Sequence, residues 1–97
     1  MEPPKEKITQ EYIDDYRIHH KLGDGGQANV YLASKNNQLY ALKVYLPGPS
    51  KEAAYQVESE YLSKLKHPHL INLISHNPKA NFKLENLPEQ QRAMIAL

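Results

Sequence analysis

Between Tyr16 and Leu46 the chain is written as β-prone runs cut by turn residues, and that punctuation leaves few folds open. Tyr16 to Leu22 is a strand candidate that stops at Gly23-Asp24-Gly25-Gly26. Asn29 to Ser34 (Asn-Val-Tyr-Leu-Ala-Ser) is the next, and Lys35-Asn36-Asn37 supplies a turn after it. Gln38 to Leu46, rich in Leu, Tyr and Val, is the third, ended firmly by Pro47-Gly48-Pro49. Strands joined by links this short pair antiparallel, because parallel neighbours need a crossover of about a dozen residues.

The pattern then changes period. Ser50 stands where a helix N-cap belongs, with Glu52 in the first turn to complement the helix dipole. From Lys51 to Lys66 the apolar positions Ala54, Val57, Tyr61, Leu62 and Leu65 recur at helical spacing, and Glu60 and Lys64 make an i, i+4 pair. His67-Pro68 stops that helix. Leu70 to Ser75 is a fourth strand candidate, Asn77 to Gln91 a long polar connection with Pro78 and Pro88, and Arg92 to Leu97 a fifth strand. Met1 to Asp15 is polar and opens on Pro3-Pro4; it reads as a flexible lead-in with a short helical turn at Gln10 to Tyr16. The expected class is α+β: a five-stranded antiparallel sheet with one main helix, over residues 16–97.

Composition narrows the function classes. Ninety-seven residues suffice for one small domain. Twelve Lys and Arg against eleven Asp and Glu give a net charge of +1, without the clustered basic excess that a nucleic-acid partner requires. Lys79 to Lys83 is too short and interrupted to be a basic patch. The longest uncharged apolar stretch is Ala93 to Leu97, so neither a membrane span nor a secretory leader is expected, and a cytoplasmic location is. Cysteine is absent, which removes disulfides, thiolate metal sites and a Cys nucleophile together. His19-His20 and the pair His67 and His69, split by Pro68, lack a carboxylate at matching spacing, and no metal site is expected.

Three local signals carry chemistry. Gly23-Asp24-Gly25-Gly26-Gln27-Ala28-Asn29-Val30 holds a Gly-x-Gly that by itself also fits a plain hairpin turn. A dinucleotide fingerprint needs a helix directly after the glycines, and a β-branched, aromatic strand follows instead; a P-loop needs Gly-Lys-Ser or Gly-Lys-Thr, which the chain lacks. A glycine-rich loop between antiparallel strands remains, able to approach phosphates with its backbone N–H groups. In Tyr40-Ala41-Leu42-Lys43-Val44-Tyr45, alternation puts Lys43 on a face with Leu39, Ala41 and Tyr45, apolar or small neighbours that are unusual for a wet lysine. On the helix, Glu58 lies four residues from both Ala54 and Leu62, so a carboxylate falls on the apolar stripe. Such a group snorkels to water or is paired with a cation, and Lys43 is the candidate partner.

Taken in order, the glycine loop between strands, the Ala-Leu-Lys strand, the helix with an inward Glu and the following His-Pro resemble the N-terminal lobe of eukaryotic protein kinases. The family's Gly-x-Gly-x-x-Gly-x-Val falls on Gly23, Gly25, Ala28 and Val30, and its Val-Ala-Ile-Lys on Tyr40, Ala41, Leu42 and Lys43. The helix glutamate falls on Glu58. The resemblance implies ATP as ligand: Leu22, Val30 and Ala41 lining the adenine pocket, and Gly23, Asp24, Gly25, Gly26, Gln27 and Ala28 covering the phosphates. It implies Lys43 on the α- and β-phosphates with Glu58 holding its ammonium. It also implies Leu62 and Leu73 in the apolar stack that reports helix position, and Leu97 at the gatekeeper position before the hinge.

The sequence departs from the family at two loop positions: Ala28 replaces the third glycine and Gln27 the aromatic at the tip. Transfer also needs a base for the substrate hydroxyl and an Asp and Asn for Mg2+. The three aspartates Asp14, Asp15 and Asp24 stand in neither a His-Arg-Asp nor an Asp-Phe-Gly context. Mg2+ is therefore expected only with a full-length kinase. The leading expectation is the ATP-binding N-lobe of a kinase acting on protein Ser or Thr, cut one residue short of its hinge and inactive alone. The alternatives are a non-catalytic module acting by protein–protein interaction, and a half-pocket that binds ATP without transfer, with affinity weaker than millimolar.

Overall fold

The computed structural model describes residues 11–64 and 74–97. Strands β1 (Tyr12–Ile13), β2 (Tyr16–Asp24), β3 (Ala28–Lys35) and β4 (Gln38–Tyr45) are followed by helix α1 (Pro49–Lys64) and strands β5 (Ser75–Lys83) and β6 (Gln90–Ala96). All strand pairs are antiparallel. The order around the sheet is β1-β2-β3-β4-β6-β5, and pairing of β1 with β5 closes it into a barrel. The β2–β3–β4 meander matches the sequence expectation. Its second turn is tight because Asn36 and Asn37 both take positive φ, 54° and 65°, the hairpin geometry Asn tolerates best.

Among the described residues the sheet has six strands rather than five. The added strand is β1, in a stretch expected to be a flexible lead-in with a helical turn. Ile13 is fully buried, and Tyr12 and Ile13 pair with both Arg17–Tyr16 and Lys83–Phe82. Asp14 fastens the seam: its carboxylate accepts from Asn77 Nδ2 at 2.8 Å and from the Asn81 N–H at 2.9 Å. The long connection expected over 77–91 is also corrected, since β5 runs through it to Lys83. A register shift between Asn77 and Ala80 takes Pro78 out of the ladder, which is how a strand accommodates a residue without an N–H. Of the fourth strand expected over 70–75, Ser75 opens β5, while 70–73 lie outside the described residues.

Alternation sorts the side chains into two clusters. The barrel interior holds Ile13, Tyr16, Ile18, Tyr31, Ala33, Leu42, Val44, Ala80, Phe82, Met94 and Ala96. On the outer face of β3, β4 and β6, Ala28, Tyr45, Ala93 and Ile95 pack with Tyr55 of α1, and Ala54, Leu62 and Leu97 close around them. The helix begins one residue before Ser50: the Gly48 carbonyl accepts from the Glu52 N–H at 3.0 Å, and Pro49 sits at the first helical position, where its missing N–H costs nothing. Its buried residues are Tyr55 and Ser59, whereas Val57 and Tyr61, expected on the apolar stripe, are 69% and 63% exposed.

Candidate functional site

Register fixes what meets on the outer face. Lys43 pairs with Val30 on one side and Ile95 on the other, and Val30 pairs in turn with Gly23. One row across the sheet therefore reads Gly23, Val30, Lys43, Ile95. In the next row Ala41 faces Leu32 and exchanges backbone hydrogen bonds with Leu97; in the row on the other side Tyr45 faces Ala28. The structure thus gathers Gly23, Val30, Ala41, Lys43 and Leu97 on neighbouring positions of β2, β3, β4 and the end of β6, although they are scattered over 75 residues of sequence.

Above the row, Gly25, Gly26 and Gln27 join β2 to β3, and Leu22 to Gln27 are all exposed. Leu22 stands where the β2–β3 register shifts between Lys21 and Gly23 and is 53% exposed. The loop end is tied down by the Leu46 N–H, which donates to the Gln27 carbonyl at 2.9 Å. Gly25 is the tightest of the three loop glycines: a Cβ there would stand 3.0 Å from the Ala28 carbonyl oxygen, while Gly23 and Gly26 face open space. Asp24 is engaged with Lys21, whose ammonium donates to it at 2.7 Å across an exposed surface. Ala28, at the third-glycine position, is buried against Tyr45 and Tyr55 rather than facing the open side of the loop.

The lysine and the glutamate meet. Lys43 Nζ donates to Glu58 Oε1 at 2.8 Å and to Oε2 at 3.1 Å, with both side chains about one-third exposed. Sequence reasoning placed Tyr45 beside Lys43 without giving it a role, and its hydroxyl also donates to Glu58 Oε1. Alternation with Lys43 was the signal available for it. Burial by itself would push the Glu58 carboxyl up. The hydrogen bonds from Lys43 and Tyr45, with the lysine charge, outweigh it and hold the carboxyl below its ordinary 4.5. The same arrangement pushes the Tyr45 phenol well up, through burial first and then the adjacent Glu58 carboxylate. Glu58 is therefore an anion and Tyr45 a neutral donor at neutral pH. One turn before Glu58 on α1, the Tyr55 hydroxyl and His76 Nδ1 share a 2.8 Å hydrogen bond.

The other two aspartates are occupied away from this row. Asp14 serves the β1–β5 seam, and Asp15 lies 3.8 Å from Lys35. Leu62 packs against the outer cluster; Leu73, His67 and His69 lie outside the described residues. Among the described residues no helix is long and apolar enough to cross a membrane, and no group of three His, Cys, Asp or Glu is placed to hold a metal.

No protein-family model matches the chain. Individual proteins do. Serine/threonine-protein kinase PLK4 of Drosophila virilis is 35% identical over 78 residues, which cover 74% of this chain and 10% of that protein. Sucrose non-fermenting protein kinase 1 of Fusarium virguliforme is 40% identical over 78 residues, 73% of this chain and 11% of that one. Salt tolerance receptor-like cytoplasmic kinase 1 of Oryza sativa subsp. japonica is 38% identical over 56 residues, 57% and 16% of the two chains. The chain spans about a tenth to a sixth of the length of these curated relatives. Among solved structures, the kinase domain of Mycobacterium tuberculosis PknI superposes with a TM-score of 0.61 at 21% identity, over 92% of this chain and 34% of that domain. The chain is thus a relative of the serine/threonine protein kinases, and its fold is that of a kinase N-terminal lobe.

Proposed function

We propose that the chain supplies the ATP-binding lobe of a protein kinase that transfers the γ-phosphate to protein Ser or Thr. The observation that carries this reading is the Lys43 ammonium held by Glu58 on an otherwise apolar row, beside a loop in which Gly23 and Gly26 face open space. Lys43 in this reading binds the α- and β-phosphates and Glu58 fixes its position. Loop N–H groups from Gly23 to Ala28 cover the phosphates, and Leu22, Val30, Ala41 and Leu97 offer the adenine an apolar surface. Lys43 is paired yet partly open to solvent, so phosphate oxygens can reach its remaining N–H without removing Glu58.

The residues present do not fit magnesium. Glu58 is taken by Lys43 and Tyr45, and Asp14, Asp15 and Asp24 are engaged with Asn77 and Asn81, Lys35, and Lys21. Among the described residues no group of carboxylates is placed to hold a metal, so metal binding and acceptance of the substrate proton belong to a second lobe in this reading. Residues 12–97 form the N-lobe in that assembly.

The reading is tested by titrating ADP, without metal, into the isotope-labelled chain and following backbone amide shifts at millimolar nucleotide. Shifts should be confined to Gly23–Val30, Ala41, Lys43 and Leu97 and vanish in Lys43→Ala. Shifts centred elsewhere, or insensitive to Lys43→Ala, would overturn it.

A further inference from the structure

The Lys43–Glu58 pair has a third member that the proposed nucleotide chemistry does not require. Tyr45 follows Lys43 by two positions on β4, shares its face and is 1% exposed. Its ring meets Tyr55 of α1 edge-on, with centroids 5.7 Å apart at 77°, and the Lys43 ammonium lies 5.5 Å from its centroid. Its hydroxyl donates to Glu58 Oε1, the oxygen that Lys43 Nζ reaches at 2.8 Å. The Tyr45 backbone is fixed as well, paired with Ala28 across β3.

The two donors on Glu58 differ in what can take them away. Lys43 is a charged, partly exposed ammonium that an anionic ligand would compete for. Tyr45 is a neutral phenol on a ring that packing immobilises, and a buried hydroxyl left without a partner is costly. We propose that Tyr45 is a positioning residue: its hydroxyl holds the Glu58 carboxylate, and with it α1, against β4 whether or not Lys43 is engaged with Glu58. When phosphate draws on the ammonium, Glu58 keeps a donor and the helix stays seated. Only that last step rests on the nucleotide reading above; the tether belongs to the free protein.

The test uses the full chain without nucleotide. Tyrosine is isotope-labelled at Cζ, the Tyr45 resonance is assigned by its loss in Tyr45→Phe, and its shift is followed by NMR through the acid range. The Tyr45 signal should inflect where Glu58 titrates, and should still do so in Lys43→Met. Tyr45→Phe keeps the ring against Tyr55 but removes the donor. It should move the Glu58 titration midpoint upward and speed amide exchange over Tyr55 to Leu62 about tenfold. A role in packing alone would change neither. A flat Tyr45 trace in the unaltered chain, loss of the inflection in Lys43→Met, or an unmoved Glu58 midpoint in Tyr45→Phe would each overturn the tether. The ADP titration fails or succeeds separately, so the two readings can be told apart.

Discussion

Ala41 and Leu97 hold each other through both backbone groups: the Leu97 N–H donates to the Ala41 carbonyl at 2.9 Å, and the Ala41 N–H returns a bond to Leu97 at 3.2 Å. This exchange carries the β4–β6 ladder past Leu42↔Ala96 and sets the last residue beside the strand that bears Lys43. A chain ending at Ala96 loses both bonds. Its stability in urea should fall by about 1–2 kcal/mol, with Leu97→Ala, which keeps the backbone, losing less.

Acid should act through Glu58. Its carboxyl is held below 4.5 in the folded state despite burial, because Lys43 and Tyr45 bind the anion. A carboxyl lowered on folding adds stability above its unfolded value, and that stability is lost as pH falls through the folded value. Urea midpoints should thus drop on acidification below about pH 4.5. In Glu58→Gln that part of the acid decline should be missing, and the variant should be less stable at neutral pH. Equal acid slopes in the two proteins would count against the assignment.

The two loop glycines should respond differently to a methyl group. Gly25→Ala brings a Cβ to 3.0 Å from the Ala28 carbonyl, so that carbonyl must give by a few tenths of an ångström; a cost of about 1 kcal/mol is expected. Gly26→Ala meets open space and should stay within about 0.5 kcal/mol of the parent. Thermal or urea unfolding of both variants distinguishes these outcomes.

Stability should follow the observed burial rather than the hydrophobic pattern. Ile13→Ala empties a fully buried site in β1 and should cost about 2–5 kcal/mol. Val57→Ala and Tyr61→Ala, on the exposed side of α1, should each change stability by no more than about 0.5 kcal/mol. Comparable losses at all three positions would contradict the helix orientation.

In a longer protein that transfers phosphate, Lys43→Ala should lower the rate by about 100-fold or more while the chain still folds, with only the modest stability loss that follows from unpairing Glu58. The 97-residue chain alone should bind ATP too weakly for calorimetry. A micromolar isotherm abolished by Lys43→Ala would show that the half-site suffices.

The meander and the Lys43–Glu58 contact were legible because each rests on a local period. Alternation in β4 puts Lys43 on the outer face, and the spacing Ala54, Glu58, Leu62 puts the carboxylate on the helix side that meets it. Helix orientation was only half legible. The side that packs runs through Tyr55, Glu58, Ser59 and Leu62, and the Glu and Ser hide it from a hydrophobic pattern, while Val57 and Tyr61 advertise a face that stays wet. Strand β5 was hidden for a related reason. In Ser75–Lys83 only Ala80 and Phe82 turn fully inward, and Pro78 reads as a strand breaker until a register shift is allowed for. Strand β1 has two residues amid acids, too few to show a period; its partners on β5 supply what the local sequence lacks.

The seam that joins those strands has a kinetic side. Tyr12 pairs with Lys83, so β1 finds this neighbour only after some 70 further residues have been made. The β2–β3–β4 hairpins need no such wait, since each closes across a turn of a few residues. Ring closure is a long-range event whose entropy is lost before its contacts are gained. During synthesis, Ile13 and the inward sides of Tyr16 and Ile18 therefore remain uncovered until β5 emerges. That interval leaves apolar surface open to misassembly during synthesis.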